Sequence, residues 1–306
     1  MQALARRRDG REIMRPAISR SAVTAMALLC LIGAPPALAG MSEEQLNNQI
    51  LRAKFGVRMP AHKGRRVLVV GATGGLGQRV LRFALEADYD VSVLVDSKAD
   101  LAAVFAGWQP AAGQAASAVP SFAALLAREY DGRKRIFEGG ATDAALLAAA
   151  VTGQQTVIEA LADDVRPLAI DALVSAAAGA GVGALVAVGG SSALEAAAGV
   201  PAKPAGGAAQ AQQELHHGVL GVLRGSSLPA WTTVNPGPMV PSADGAPTGL
   251  FEPRADVLDP AAFAESAPDM TFEDVALIMV QAADVANSGY DKHMIGLALK
   301  PKHGEL

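Results

Sequence analysis

From residue 66 onward the chain alternates two apolar patterns. Val67-Leu68-Val69-Val70 is an unbroken apolar run, the pattern of a strand buried on both faces of a parallel sheet. After Gly77, the residues Val80, Leu81, Phe83, Ala84 and Leu85 gather on one face of a helix. Val91–Val95 predicts a second strand that ends at Asp96, and 98–105 a helix, which completes a βαβ unit. The alternation resumes with strands over 135–137, 156–160 and 184–188, separated by helices over 144–151 and 167–178. Helices over 210–223 and 271–286 and strands over 231–234 and 294–299 follow, with Thr271 and Asp274 spaced as a capping box. Two stretches break the rhythm. Residues 106–134, rich in Gly, Gln, Ala and Pro with a short helix near 122–128, read as an insertion. Residues 238–270, rich in Pro, Gly, Ala and Asp, read as a loop-dominated lid. Strands alternating with helices in this way predict the α/β class, a doubly wound parallel sheet with a small loop-rich C-terminal substrate region.

The first strand runs directly into Gly71-Ala72-Thr73-Gly74-Gly75-Leu76-Gly77. Glycines at i, i+3 and i+6 between a buried strand and a helix suit a dinucleotide. The first permits a tight turn, the second lets a pyrophosphate approach the backbone, and the third allows close strand–helix packing. The helix N-terminus then offers N–H groups to the phosphates. Gln78 and Arg79 follow Gly77, where a nucleoside-triphosphate loop would need Lys and then Ser or Thr. Arg79 reads either as a further phosphate contact or as a solvated helix residue. Asp96 closes the second strand, placed to accept hydrogen bonds from ribose hydroxyls. A 2′-phosphate would meet its negative charge, so the expected cofactor is NAD or NADP with NAD favoured, although Lys98 two residues on could reach a phosphate. Asp96 also reads as a helix N-cap. Ala160-Leu161, after the fourth strand, should pass over the cofactor's ribose.

These residues resemble a family. Val-Leu-Val-Val-Gly-Ala-Thr-Gly-Gly-Leu-Gly is similar to the opening of atypical short-chain dehydrogenase/reductases, in particular the flavin-reductase-like and nitrogen-metabolite-repressor-like branch. Val186–Glu195, Trp231–Pro238 and Phe272–Ala276 add matches downstream. The resemblance implies a Rossmann core and NAD(P) binding. Active members use Ser, Tyr and Lys, the Tyr passing a proton while hydride moves. Ser191 and Ser192 stand where the family serine would be. The Tyr-x-x-x-Lys of the following helix is missing, and that helix presents Glu214, His216 and His217 instead. His216 is the candidate acid or base. Asn235, ahead of Pro236-Gly237 at a strand end, reads as a substrate contact or as turn chemistry. Glu159, an acid inside an apolar strand, has no role in this scheme. The expected activity is an NAD(P)H-dependent oxidoreductase that reduces a small diffusible acceptor such as a flavin or quinone. A non-catalytic dinucleotide-binding sensor or scaffold is the alternative, and a nucleotide-sugar epimerase or dehydratase ranks third.

Composition narrows the partners. The chain has 306 residues, 51% hydrophobic and 18% charged, with a formal net charge of -4, enough for a core and too acidic for a nucleic-acid footprint. Its single cysteine, Cys30, excludes an intramolecular disulfide, and its histidines show no metal-ligand motif. A small-molecule substrate is expected, no metal, and a homodimer is compatible. The first residues differ in kind. Six arginines up to Arg20 precede an apolar run over 22–33 and then Ala37-Leu38-Ala39-Gly40, the grammar of a secretory signal over residues 1–39. The run is too short for a membrane span. Residues 40–64 read as a helix and linker ahead of the 65–306 domain, and the expected location is exported or periplasmic. Translation from Met41 would instead leave the protein cytoplasmic. N-terminal sequencing of protein recovered from a periplasmic extract should begin at Gly40; a chain beginning at Met41, confined to the cytoplasm, would overturn the leader reading.

Overall fold

A computed structural model of the chain describes residues 62, 64–108, 120–127, 134–191, 195–197, 200–201, 208–243, 245, 247–248, 250–255, 270–284 and 292–299. All of them belong to the unit Phe55–Leu306. The predicted leader, all of the 40–64 segment except His62 and Gly64, Ser192, and parts of the expected insertion and lid lie outside the described residues.

The predicted runs form β1 (Arg66–Val70), β2 (Asp90–Val95), β3 (Ile136–Glu138), β4 (Thr156–Glu159), β5 (Ala184–Val188), β8 (Ala230–Asn235) and β12 (His293–Leu299), and the chain between them adds the short β6 (Glu195–Ala197), β7 (Val200–Pro201), β9 (Met239–Val240) and β11 (Met270–Thr271) and the longer β10 (Phe251–Ala255). The main sheet has the order β10-β12-β8-β5-β4-β1-β2-β3. From β3 to β12 every pairing is parallel, and β10 joins β12 antiparallel. This is the doubly wound Rossmann arrangement, whose strand order reverses between β1 and β4.

Side chains of one strand alternate between two cores. Val67 and Val69 face helices α1 (Gly75–Glu86) and α2 (Lys98–Gly107), the short α3 (Phe122–Ala127), and α7 (Phe272–Ala282). Leu68 and Val70 face α4 (Ala144–Val151), α5 (Arg166–Gly179) and α6 (Ala208–Gly225). Burial on both faces explains why these strands are continuous apolar runs instead of alternating ones.

Three details depart from the sequence reading. β10 crosses the stretch read as a lid; it contains Pro253, which an edge strand tolerates because its unpaired side needs no N–H donor. β6 and β7 pair antiparallel within a stretch in which no strand is predicted. Asp96 does not cap α2. Ser97 does, its Oγ accepting from the N–H groups of Ala99 and Asp100 at 3.1 and 3.4 Å. Among the described residues no helix is long and apolar enough to cross a membrane.

At the N-terminal edge of the sheet, His62 stacks on Tyr89 with ring centroids 4.1 Å apart and an interplanar angle of 16°. Its Nδ1 lies 3.9 Å from Asp284, which also pairs with Arg65. Burial pushes the His62 imidazole below its ordinary value, against the opposing pull of Asp284. The unfolded chain therefore takes up this proton first, and the contribution of His62 to stability is lost as pH falls below about 6.5. Between pH 7 and pH 5 the wild-type melting temperature should fall further than that of His62→Phe, which keeps the stacking without the titration. Equal falls would refute the assignment.

Candidate dinucleotide site

The glycine loop sits where β1 and β4 diverge. Gly71 has φ +82°, and a Cβ there would stand 2.8 Å from the Ala160 carbonyl oxygen and 3.1 Å from the Leu161 nitrogen. A side chain at 77 would overlap the carbonyl oxygen of Gly71. Both positions therefore require glycine, one for backbone conformation and close approach, the other for packing of α1 onto the end of β1. Gly74 differs: a Cβ there would meet Gly71 at an ordinary 3.5 Å. It is the α1 N-cap and is exposed, with no side-chain cap and no acid in the first turn of the helix. The first-turn N–H groups of α1 are thus left to an external acceptor, and the partial positive charge of the helix end is uncompensated. This cradle fits a pyrophosphate. Thr73 and Gly75 belong to its rim, whereas Leu76 turns inward and is buried.

The other predicted residues are spread along the same C-terminal edge. Asp96 follows β2, exposed and without a hydrogen bond to any described residue. Ala160 and Leu161 follow β4 and face the glycine loop. Ser191 follows β5, its N–H donating to the Pro236 carbonyl at 2.7 Å. Asn235 ends β8 almost fully buried, its Nδ2 donating to the Thr233 carbonyl, Thr233 Oγ1 and the Ile295 carbonyl at 3.1, 3.0 and 3.2 Å. Its amide nitrogen is thus held by strands β8 and β12. His216 of α6 is also buried, its ring occupying the space that a side chain at 190 would take; likewise Asn235 fills the space beside Gly189. Burial lowers the His216 imidazole below its usual value, with Asp163, 3.8 Å from Nε2, opposing and Arg166 reinforcing.

Arg166 is the residue that sequence reasoning missed. Its Nε donates to Glu159 Oε1 at 3.1 Å, Nη1 to Asp163 Oδ1 at 2.6 Å, and Nη2 to the Leu161 carbonyl. Glu159 Oε1 also accepts from the Leu161 N–H at 2.6 Å. This gives Glu159 a role, and Asp163 serves Arg166 and not the start of α5, which has no side-chain cap. Complete burial raises Glu159 against the charge of Arg166. Burial would also raise Asp163, but Arg166 outweighs it and holds that carboxyl below the ordinary range. The signal was present: an acid inside an apolar strand needs a cation, and Arg166 opens the next helix seven residues on.

Arg79 is likewise committed. Its Nε donates to Glu273 Oε1 at 2.9 Å and Nη1 to the Gly75 carbonyl at 3.0 Å. Glu273 Oε2 in turn accepts from the Ser242 N–H at 2.9 Å, and Asp274 Oδ2 from Thr248 Oγ1 at 2.8 Å. The N-terminus of α7, fixed by the Thr271–Asp274 capping box, thereby pins the described part of the segment read as a lid.

A family model described as NAD(P)H-binding matches residues 71–286. No protein of curated function matches the sequence. Among solved structures, a Burkholderia pseudomallei protein described as exported is 22% identical, with TM-score 0.53, and the match covers 76% of this chain and 99% of that one. The anaerobilin reductase ChuY of Escherichia coli O157:H7 is 20% identical at TM-score 0.52, covering 77% and 99%. A short-chain dehydrogenase/reductase of Veillonella parvula in complex with NADP is 15% identical at TM-score 0.51, covering 78% and 95%. At these identities the likeness is one of fold.

The glycine geometry separates two substitutions. Gly77→Ala should lose about 1–3 kcal/mol of stability through overpacking together with NADH binding. Gly74→Ala should keep its melting temperature and weaken NADH in calorimetric titration. The same stability loss in both variants would contradict the cradle.

Proposed function

Since the chain belongs to the NAD(P)H-binding family, we propose that it is an NAD(P)H-dependent oxidoreductase that passes hydride to a small diffusible acceptor such as a flavin or quinone. The observation that carries this reading is the pairing of an open phosphate cradle on α1 with a helix α6 that contains neither tyrosine nor lysine. An acceptor that takes hydride into a conjugated ring needs little side-chain acid–base help, so the missing pair does not stand against turnover. The ChuY relative, described as a reductase, supports the same class.

When bound, the reduced nicotinamide supplies the hydride. The chain supplies the rest. Backbone N–H groups from Gly75 to Gly77 hold the pyrophosphate, and Thr73 and Gly74 rim it. Asp96 takes the ribose hydroxyls and disfavours a 2′-phosphate, which makes NADH the preferred donor. Ala160 and Leu161 wall the ribose. Ser191 stands at the acceptor end, flanked by Asn235. His216, kept neutral at pH 7 by burial, is the group able to relay a proton, with the half-exposed Asp163 beside it. The leader grammar supports export, as does the Burkholderia relative's description as exported.

Titration calorimetry with NADH and NADPH tests the site. The wild type should favour NADH, and Asp96→Arg should shift the preference toward NADPH by about tenfold, near 1.4 kcal/mol. Binding of neither dinucleotide would overturn the proposal. Binding without NADH oxidation across a panel of flavins and quinones would establish the non-catalytic sensor instead.

A further inference from the structure

We propose that Glu159, Asp163 and Arg166 are positioning residues: a clamp, buried at Glu159 and Arg166, that fixes the β4–α5 turn as one wall of the dinucleotide crevice and registers helix α6 against it. The inference rests on dinucleotide binding at the glycine loop and not on reductase turnover.

The clamp acts on the backbone of one residue from both sides, holding two successive peptide units. The N–H of Leu161 is held by Glu159, and its carbonyl by Arg166. The same backbone faces the glycine loop, because the Ala160 carbonyl and the Leu161 nitrogen are the atoms that exclude a side chain at Gly71. A small shift at 160–161 therefore changes the width of the crevice between β1 and β4. Among the described residues these two Leu161 groups have no backbone partner, so side chains take the place of a sheet neighbour just past the end of β4.

Energetics argues against a purely stabilising role. Both charges are nearly fully buried, with 0% and 3% side-chain exposure for Glu159 and Arg166. Desolvating such a pair costs about as much as the pairing returns, and apolar replacements of similar volume are often neutral or stabilising. The surrounding core is built mostly of Val, Leu, Ile and Ala, and residues of that kind would fill the space. What the apolar side chains cannot provide is a planar fork with three separately aimed donors. Arg166 uses all three, on Glu159, Leu161 and Asp163. Through Asp163 the fork extends to α6, where Gln212 Nε2 donates to Asp163 Oδ2 at 3.3 Å and His216 Nε2 lies 3.8 Å from Asp163 Oδ1. The wall of the crevice and helix α6 thereby share one anchor.

The test uses the full chain and two variants. Glu159→Leu with Arg166→Met removes both charges; Arg166→Lys keeps the charge without the fork. Three readouts are taken: melting temperature, the NADH dissociation constant by fluorescence titration, and hydrogen exchange at the Leu161 amide in the cofactor-free protein. The double variant should still fold, because charge and partner leave together, bind NADH about tenfold more weakly, and lose protection at Leu161. Arg166→Lys should fold and show the same two losses to a smaller degree. A folded double variant with NADH affinity within about twofold of wild type and unchanged exchange would overturn the clamp. So would a failure of both variants to fold, which would make the pair a stability element. A wild type that binds NADH but reduces no acceptor would end the oxidoreductase reading and leave the clamp standing.

Discussion

The carbonyl oxygen of Gly71 occupies the space that a side chain at position 77 would need. That contact brings α1 down onto the end of β1 and aims its first turn at the crevice between β1 and β4. Much else follows from this approach. Only a strand buried on both faces can end so abruptly in a turn without exposing apolar surface, and β1 is flanked by β2 and β4 and covered by helices on both sides. Only a helix whose first turn is free of acids and side-chain caps leaves its N–H groups to a phosphate. The positive φ of Gly71 completes the turn, and its closeness to Ala160 fixes how far apart the two strands can stand.

The charged residues around this loop hold backbone in place. Arg79, which its place just after the glycines leaves as either a phosphate contact or a solvated helix residue, pairs with Glu273 and supports the segment after β9 through Ser242. Arg166 performs the matching service on the other side, for the turn after β4. Each arginine binds a carboxylate that is almost fully buried, Glu273 at 2% and Glu159 at 0% side-chain exposure. A carboxylate without its cation at that depth would be strongly destabilising. The loops that border the crevice are therefore tied to the core by pairs that resist partial release. Asp96, exposed and with no hydrogen bond to a described residue, is the contrasting case.

How much of this was legible follows from distance along the chain. The parallel strands were readable because burial on both faces makes them continuous apolar runs, and the glycine loop because its three constraints fall within seven residues. The capping box at Thr271 and Asp274 was readable for the same local reason. β10 was not, since an antiparallel edge strand carries Glu252, Pro253 and Arg254 where a central strand would carry apolar residues. The seat of His216 against Gly190 was equally hidden. A glycine after a strand announces a turn, and nothing in the sequence says that the space it leaves is filled by a histidine from the next helix. For Arg79 and Asp96 the sequence leaves two readings each; Arg79 takes neither, pairing with Glu273 instead, and Ser97 replaces Asp96 as the cap of α2.

Glu159 shows where sequence reasoning had a lever it did not use. An acid in the middle of Thr-Val-Ile-Glu-Ala must be neutralised or paired, because an isolated carboxylate cannot remain ionised in an apolar core. The nearest cation on the chain after it is Arg166, and a strand-to-helix turn of this length returns the start of the helix to the end of the strand. The pair was therefore deducible as a local feature. Its consequence was not, because that depends on Gly71, some ninety residues earlier, being close enough to feel the position of Leu161. The sequence states which charges must meet; the fold decides which backbone they hold when they do. In this protein that backbone is the wall of the crevice.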